Sequence, residues 1–423
     1  MTPADADPWL ERAAKDHGTP SFVYFTESIE RRITSLRDGF GDRFALSFAV
    51  KSNPNPALLA WLNGRIDYLD ISSIGEFRLA LAAGWDPARI SFTGPAKREC
   101  ELREAIVGGI GLLIVESLRE AHLADRIARS IGSTQPVLVR IAPDVVPKGF
   151  GDQMAGRPSP FGIDQEVADA TISAIQLLSN LHIAGLHIYS GTQCLKAEAI
   201  VENYRGFIAL FRDLCSARDI SPEKLIFGSG LGVAYHDQDN DLDIAEVANG
   251  IAVDIDTLRF EPRFANSRPV LELGRYLVAD AGYFLIRVVD VKQSRGTRIA
   301  ICDGGMNNHL PASGHFGMVI RRNYRMHRVG GGEGEQRIDI VGPLCTSIDR
   351  LGSSVALPPI AEGDLIAIHN SGAYGLTASP FHFISHSPPA ELMVSDGALH
   401  DITRFFPDAP PPRLREAAAS KTA

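Results

Sequence analysis

The stretch Leu46-Ser47-Phe48-Ala49-Val50-Lys51-Ser52-Asn53-Pro54-Asn55-Pro56 places a lysine directly after a short apolar run. Such a run predicts a buried strand, which the Pro- and Asn-rich residues after Lys51 bring to an end. An ammonium there is costly unless it is paired, deprotonated or chemically converted. A Schiff base with an aldehyde cofactor meets that cost, whereas the alternative is a lysine that extends to solvent.

Outward from Lys51, short apolar runs alternate with amphipathic stretches. The runs span residues 66–71, 90–93, 112–115, 137–141, 183–188, 225–227 and 270–272. The stretches with helical spacing span residues 75–83, 101–107, 118–130, 167–179 and 197–217. Repeated strand–helix units over about 230 residues predict a parallel sheet and suit a (β/α)8 barrel.

The sequence pattern changes after Gly274. Short strand-like runs are separated by turns there, and no long stretch has helical spacing. These runs span residues 283–291, 298–302, 336–341, 365–369 and 390–394. They predict a second, all-β C-terminal domain.

Composition excludes several classes of protein. The 423 residues are 45% hydrophobic and carry a net charge of -9, which disfavours nucleic-acid and anionic-membrane partners. No apolar run approaches the roughly 18–20 residues of a membrane span, and the acidic amino terminus does not resemble a signal peptide. Five irregularly spaced cysteines give neither a disulfide framework nor a zinc pattern. We expect a cytoplasmic enzyme.

Three groups of polar residues follow predicted strands, where side chains reach the top face of a barrel. The glycine-rich Gly228-Ser229-Gly230-Leu231-Gly232 is suited to a phosphate, although such a sequence is often only a turn. Glu272-Leu273-Gly274-Arg275 offers a carboxylate for a protonated pyridine nitrogen and a guanidinium for a phosphate, or else a simple ion pair. His187 ends another run and is either a cofactor contact or a structural histidine.

Two further residues lie in turns of the second half. Cys345 follows Gly342-Pro343-Leu344 and is either a reachable proton donor or an inert thiol. Tyr374, in Gly372-Ala373-Tyr374-Gly375, places a hydroxyl where it can meet an anion.

In order, these motifs resemble those of the fold-type III pyridoxal-phosphate (PLP) decarboxylases, which include diaminopimelate, ornithine and arginine decarboxylases. The resemblance covers about residues 22–394 and rests on seven motifs: Ala49-Val50-Lys51-Ser52-Asn53, Asp70…Glu76, His187…Gln193, Gly228…Gly232, Glu272…Arg275, Gly342…Cys345 and Gly372…Gly375. Three departures are similar to a secondary-metabolite or exosortase-associated subgroup: the loops 148–162 and 315–324, and Leu273 in place of proline.

The resemblance implies an alanine-racemase-like (β/α)8 barrel with a second domain. We expect the barrel over residues 28–266, and the β-domain over residues 1–27 plus 267–406, with its first strand at residues 21–25. We expect residues 407–423 to be a disordered tail. The resemblance also implies a homodimer with shared active sites.

The resemblance assigns roles to individual residues. It makes Lys51, Cys345 and His187 catalytic: Lys51 as the aldimine lysine, His187 stacked on the cofactor ring, and Cys345 entering the partner subunit's site to protonate the quinonoid. The cofactor-binding residues that it implies are Lys51, Asp70, Glu76, Arg140, His187, Gly230, Gly232, Glu272, Gly274, Arg275 and Tyr374.

The substrate is predicted from a departure. Relatives that act on basic amino acids place an acidic residue directly after the cysteine, where this chain has Thr346, with Asp349 close by. A hydroxyl cannot balance a desolvated ammonium, so we expect an amino acid or aminoacyl group without one, such as a glutamyl group on a carrier protein. Arg321 and Arg322 are candidate contacts to that substrate. The alternatives are a diaminopimelate or other basic amino-acid decarboxylase, an amino-acid racemase, and a non-catalytic PLP-binding homologue.

Overall fold

The computed structural model of this protein describes residues 2–316 and 321–404. Eight parallel strands form a closed barrel, in which each strand pairs with its neighbours in chain order and the eighth pairs with the first. The barrel strands are Ala45–Ala49, Tyr68–Ile71, Ile90–Phe92, Leu112–Val115, Gln135–Ala142, Leu181–Ile188, Lys224–Gly228 and Arg268–Leu273. The predicted (β/α)8 barrel is confirmed.

Helices surround the barrel, one before the first strand and one between each later pair. They are Thr26–Phe40, Pro56–Leu62, Ile74–Ala82, Glu99–Val107, Leu118–Ser130, Gln165–Gln176, Ala197–Ala217 and Ile244–Phe260. Polar caps start several of them immediately beyond a strand: the hydroxyls of Ser73 and Ser117 each accept the backbone N–H of a glutamate three residues later. These caps fix the carboxyl ends of the strands, where the polar residues lie.

The barrel interior changes from apolar to charged along its axis. Inward-facing side chains in the lower part include Ile114, Leu138 and Val270. Because side chains alternate along a strand, the residues two positions further on face the same way. Those residues are Glu116, Arg140 and Glu272, and all three are buried. The interior of the barrel near the carboxyl ends of its strands is therefore lined by charged side chains.

The second domain is built on a nine-stranded sheet. Its strands are Ser21–Phe25, Gly282–Ser294, Thr297–Cys302, Met326–Arg328, Gln336–Val341, Arg350–Leu357, Leu365–Ile368, Ala390–Ser395 and Ala398–Asp401. Ser21–Phe25 lies between Gly282–Ser294 and Ala390–Ser395, so this domain combines segments from before and after the barrel. Helix Pro3–Asp16 packs on the sheet through Leu10 and small residues. The predicted β-domain and its amino-terminal strand are confirmed.

The boundary between the domains differs from the expected one. The eighth barrel strand, Arg268–Leu273, lies after residue 266, so the barrel includes residues assigned from sequence to the β-domain. Residues 405–406 and the tail expected at 407–423 lie outside the described residues. Among the residues that are described, no helix is long and apolar enough to cross a membrane.

Candidate active site

Lys51 lies just beyond the first barrel strand, in the 3-10 turn Val50–Ser52. The turn is tied to the β-domain, because the side-chain amide of Asn53 donates to the carbonyl of Gly372 at 3.0 Å. The Lys51 Nζ lies 5.9 Å from the ring centre of Tyr189. The lysine therefore reaches into the top of the barrel.

Lys51 lines a cavity that also gathers predicted residues from distant parts of the chain. The lining residues are Ala49, Lys51, Tyr189, Thr192, Ser229, Leu231, Glu272, Leu273, Gly274, Arg275, Tyr276 and Tyr374. Sequence reasoning assigned no role to Tyr189, Thr192 or Ser229, although all three follow barrel strands and their position was the available signal.

His187 and Glu272 form a buried pair. The His187 Nε2 lies 3.0 Å from the Glu272 Oε2, and neither side chain is more than 3% exposed. Burial acts to raise the pKa of Glu272, but the hydrogen bond from His187 and the charges of Lys51 and Arg140 outweigh it, and the pKa is lowered. Glu272 is thus an ionised carboxylate, suited to a protonated pyridine nitrogen.

Asp70 completes the set of carboxylates around Lys51. Its Oδ1 accepts from Ser91 Oγ at 2.8 Å and from Thr93 Oγ1 at 2.5 Å, while its Oδ2 is buried without a partner in the described part of the chain. Burial and the charge of Glu272 raise the pKa of Asp70.

The predicted cofactor contact Glu76 has a local role. Its carboxylate accepts the backbone N–H of Ser72 at 2.6 Å, at the start of helix Ile74–Ala82. Burial raises the pKa of Glu76. Glu76 therefore orders the turn that follows the second barrel strand.

The environment of Lys51 favours a charged amine. Burial alone would lower the pKa of Lys51, but the surrounding Tyr374, Tyr189, Glu272 and Asp70 raise it above the ordinary lysine value. An unmodified Lys51 is therefore an ammonium held near the Glu272 carboxylate and Asp70, and a protonated imine would occupy the same electrostatic site.

Arg275 and Tyr374 lie together at one end of the cavity. The Arg275 Nη1 donates to the hydroxyl of Tyr235 at 3.3 Å, and the guanidinium carbon lies 5.0 Å from the ring centre of Tyr374. The Arg275 Nε is buried without a partner among the described residues. A buried guanidinium with an unused donor is suited to a phosphate oxygen.

The glycines between these groups are needed for close packing. A side chain at Gly228 would place its Cβ 2.3 Å from the ring of Tyr189. Gly230 has a positive φ, and its Cβ would lie 2.5 Å from the ring of Phe150, while at Gly232 it would lie 2.7 Å from a backbone oxygen. The loop 228–232 is therefore glycine-rich partly because protein neighbours press against it.

The donor set of the cavity fits PLP. Lys51 would supply the amine for its aldehyde, Glu272 the carboxylate for its ring nitrogen, and Arg275 with Tyr374 the contacts for its phosphate. The partnerless Arg275 Nε is the observation that favours an anionic group at this end.

Comparison with known proteins decides the family. Residues 26–279 match the family model described as pyridoxal-dependent decarboxylase, pyridoxal binding domain. This chain belongs to the pyridoxal-dependent decarboxylases. The decarboxylase is 34% identical over 394 residues to L-glutamyl-[BtrI acyl-carrier protein] decarboxylase of Niallia circulans, covering 91% of each chain. It is 30% identical over 398 residues to diaminopimelate decarboxylase of Aquifex aeolicus, covering 92% of this chain and 90% of that one.

A solved structure extends the similarity to the whole fold. Diaminopimelate decarboxylase from Helicobacter pylori, complexed with L-lysine, superposes with a TM-score of 0.83 at 26% identity, covering 93% of this chain and 96% of that one. The predictions of a PLP cofactor and a carboxy-lyase are confirmed.

Cys345 and Thr346 are not among the described residues that line the cavity of this decarboxylase. The exposed Cys345 lies in the loop between strands Gln336–Val341 and Arg350–Leu357 of the β-domain. Asp349, in the same loop, is only 3% exposed. Its Oδ1 accepts the backbone N–H of Met306 at 2.7 Å and its Oδ2 that of Leu344 at 2.8 Å. Asp349 thus holds the shape of the loop that presents Cys345.

A larger space, the outer chamber, adjoins the cavity and shares Thr192 and Arg275 with it. Its other lining residues are Gly151, Asp152, Gln193, Tyr235, His236, Phe316 and Tyr324. The predicted substrate contacts Arg321 and Arg322 lie just before Tyr324 in the chain. Arg321 donates to the carbonyl of Arg350, and Arg322 pairs with Asp239 at 2.6 Å.

Proposed function

We propose that this decarboxylase removes the α-carboxyl group of a substrate whose distal end is neutral or anionic, with a carrier-bound L-glutamyl group as the leading candidate. The observation that carries the proposal is the state of Asp349. Both of its oxygens accept backbone N–H groups, and burial raises its pKa. It is therefore poorly suited to balance a substrate ammonium.

Thr346 supports the same proposal. It occupies the position after Cys345 and carries no charge. An ammonium desolvated beside a hydroxyl would lose hydration without gaining an ion pair. The 34% identical relative from Niallia circulans is named as a decarboxylase of L-glutamyl-[BtrI acyl-carrier protein], which is a substrate of the proposed class.

The residues of the cavity divide the work of the reaction. Bound PLP supplies the electron sink for the bond to the leaving carboxylate. Glu272 keeps the ring nitrogen protonated, and His187 holds Glu272 in place at 3.0 Å. Arg275 and Tyr374 anchor the phosphate end, so that the reacting end stays beside Lys51.

Proton return is assigned to Cys345 of a second subunit. The thiol is exposed on its own chain, and the loop that carries it is held by Asp349. An exposed thiol on a loop held by hydrogen bonds is suited to enter a neighbouring site, so we propose a homodimer in which each site takes Lys51 from one chain and Cys345 from the other.

Arg321 and Arg322 remain candidates for contact with a carrier protein. Both side chains are exposed, and Arg322 already forms an ion pair with Asp239. A carrier whose surface is acidic would compete with Asp239 for Arg322.

A basic amino acid is the second candidate substrate, and one residue favours it. Asp152 lines the outer chamber and lies 3.7 Å from Arg157, which is too far for a strong pair. A free ammonium entering the chamber would meet this carboxylate.

Carbon dioxide release distinguishes the two substrates. The predicted kcat/KM for an L-glutamyl carrier thioester exceeds that for diaminopimelate, lysine, ornithine or arginine by about a hundredfold or more, because neither Thr346 nor the backbone-bound Asp349 offers a substrate ammonium a free carboxylate. Lys51→Ala protein gives the background. Efficient turnover of a free basic amino acid, at about 10⁴ M⁻¹s⁻¹ or above, would contradict the proposal. Loss of that turnover in Asp152→Asn would then establish the second candidate.

A further inference from the structure

Four buried charged side chains form a cluster near the carboxyl ends of the barrel strands, and only one of them, Arg140, was predicted to bind the cofactor. Its members are Lys97, Glu116, Glu120 and Arg140, and none is more than 6% exposed. Burying a charged group is costly unless it is paired, so two cations and two carboxylates in one place form a matched set.

Lys97 is fixed at the centre of this cluster. Its Nζ donates to the carbonyl of Gly94 at 2.6 Å and to that of Ile114 at 2.9 Å. It also lies 2.7 Å from Glu120 Oε1 and 4.0 Å from Glu116 Oε1. With its ammonium so engaged, Lys97 is not free to reach the cavity as a second Schiff-base lysine.

Glu116 connects the cluster to three elements of the barrel. Its Oε2 accepts from Arg140 Nη1 at 3.0 Å and from the backbone N–H of Gly162 at 2.9 Å, while its Oε1 accepts from Gly94 at 2.6 Å. The carboxylate thus joins the fifth strand to the loops that follow the third and fifth strands.

Arg140 carries the connection to the active site. It is paired in register with His187 on the neighbouring parallel strand, so both side chains face the same side of the sheet. His187 in turn contacts Glu272 at 3.0 Å. The charge of Arg140 is one of the influences that lower the pKa of Glu272.

We propose that Lys97 is a positioning residue, which holds the carboxylate of Glu116 on Arg140 and thereby keeps the guanidinium beside His187 and Glu272. Without Lys97, the two buried carboxylates of Glu116 and Glu120 would share the guanidinium of Arg140. Glu120 would then draw this guanidinium away from His187 and Glu272. The proposal rests on the Lys51 cavity being the active site and holds for any amino-acid substrate.

The pH at which Glu272 is protonated depends on the groups that face it, which are His187, Lys51, Asp70, Tyr189 and Arg140. Displacing Arg140 removes one cation from this set. The pKa of Glu272 then rises, and protonation of Glu272 sets in at a higher pH.

The test compares purified holoenzyme variants. The visible absorbance of the bound cofactor is measured as a function of pH. In Lys97→Met, we expect its acidic transition to shift to higher pH by about half a unit or more. We also expect kcat to fall about tenfold, with KM changed less. The matched control is Lys224→Met, because Lys224 is partly buried at the opposite, amino end of a barrel strand.

A double variant separates charge from packing. Lys97→Met/Glu120→Gln removes one charge of each sign, so Glu116 should return to Arg140 and the wild-type pH profile should recover. A wild-type pH profile of the cofactor absorbance in Lys97→Met would overturn the proposal. So would a double variant whose pH profile is shifted as far as that of Lys97→Met. If Lys97→Met does not fold, Glu116→Gln replaces it: a shifted absorbance titration supports the proposal, and an unshifted one overturns it.

Discussion

Replacing Lys51 with alanine is expected to abolish decarboxylation and the visible absorbance of the bound cofactor, while the fold remains intact. Lys51 is the lysine of the cavity, and PLP without a lysine imine loses both its covalent anchor and the exchange reaction that loads the substrate. We expect kcat/KM to fall by about 10⁴-fold or more. Steady-state kinetics, absorbance and circular dichroism measure the three quantities.

Lys15→Ala is a suitable control for this variant, since Lys15 is exposed on helix Pro3–Asp16 and lies outside the cavity. It should match the wild-type protein in all three measurements. Decarboxylation by Lys51→Ala above about one-hundredth of the wild-type rate would sink the assignment of Lys51.

Replacing Cys345 with alanine is expected to keep the cofactor absorbance but to lower the yield of amine product, because the α-carbon loses its proton donor after carbon dioxide leaves. We expect kcat to fall about 10²-fold or more, with part of the turnover diverted to abortive transamination. Product analysis by mass spectrometry distinguishes amine from the transamination product.

Mixing Cys345→Ala with Lys51→Ala protein tests whether sites are shared. If each site takes Lys51 from one chain and Cys345 from the other, a mixed dimer has one intact site, and random mixing should restore roughly a quarter of wild-type activity. Cys100→Ala, another exposed cysteine, is the control for loss of a surface thiol. Subunits that demonstrably exchange but recover no activity would refute the shared site.

Much of the barrel was predictable, because local patterns and tertiary structure agree there. The run 112–115 and the amphipathic stretches 118–130 and 197–217 have the bounds of the observed elements. A short apolar run is enough to predict a buried strand, and apolar residues at three-to-four spacing are enough to predict a long helix. The Lys51 motif was identified for the same reason: its strand is apolar and its turn is marked by proline and asparagine.

The β-domain was less predictable, because some of its strands carry little local signal. Arg350–Leu357 contains glycine and two serines, and its ladder partner Gln336–Val341 supplies the pairing. Helix Pro3–Asp16 was interpreted only as an acidic terminus. Its signal was Thr2, whose side chain caps the helix in a reciprocal pair of hydrogen bonds with Asp5.

The parts of the site that depend on three-dimensional neighbours were beyond sequence reasoning. Lys97 follows the unremarkable stretch Thr93-Gly94-Pro95-Ala96, and only the fold places it between two buried glutamates. Asp349 was predicted to bind substrate from its position after Cys345. Its backbone partners Met306 and Leu344 become visible only once the loop is folded.

Borohydride reduction followed by peptide mapping tests the central claim most directly, because it fixes the imine to its lysine as a stable amine. The account predicts the mass of the reduced cofactor on the peptide that contains Lys51, and an unmodified peptide for Lys97, whose ammonium is engaged by two carbonyls and Glu120. The cofactor's mass on Lys97 or another lysine, with Lys51 unmodified, would contradict it.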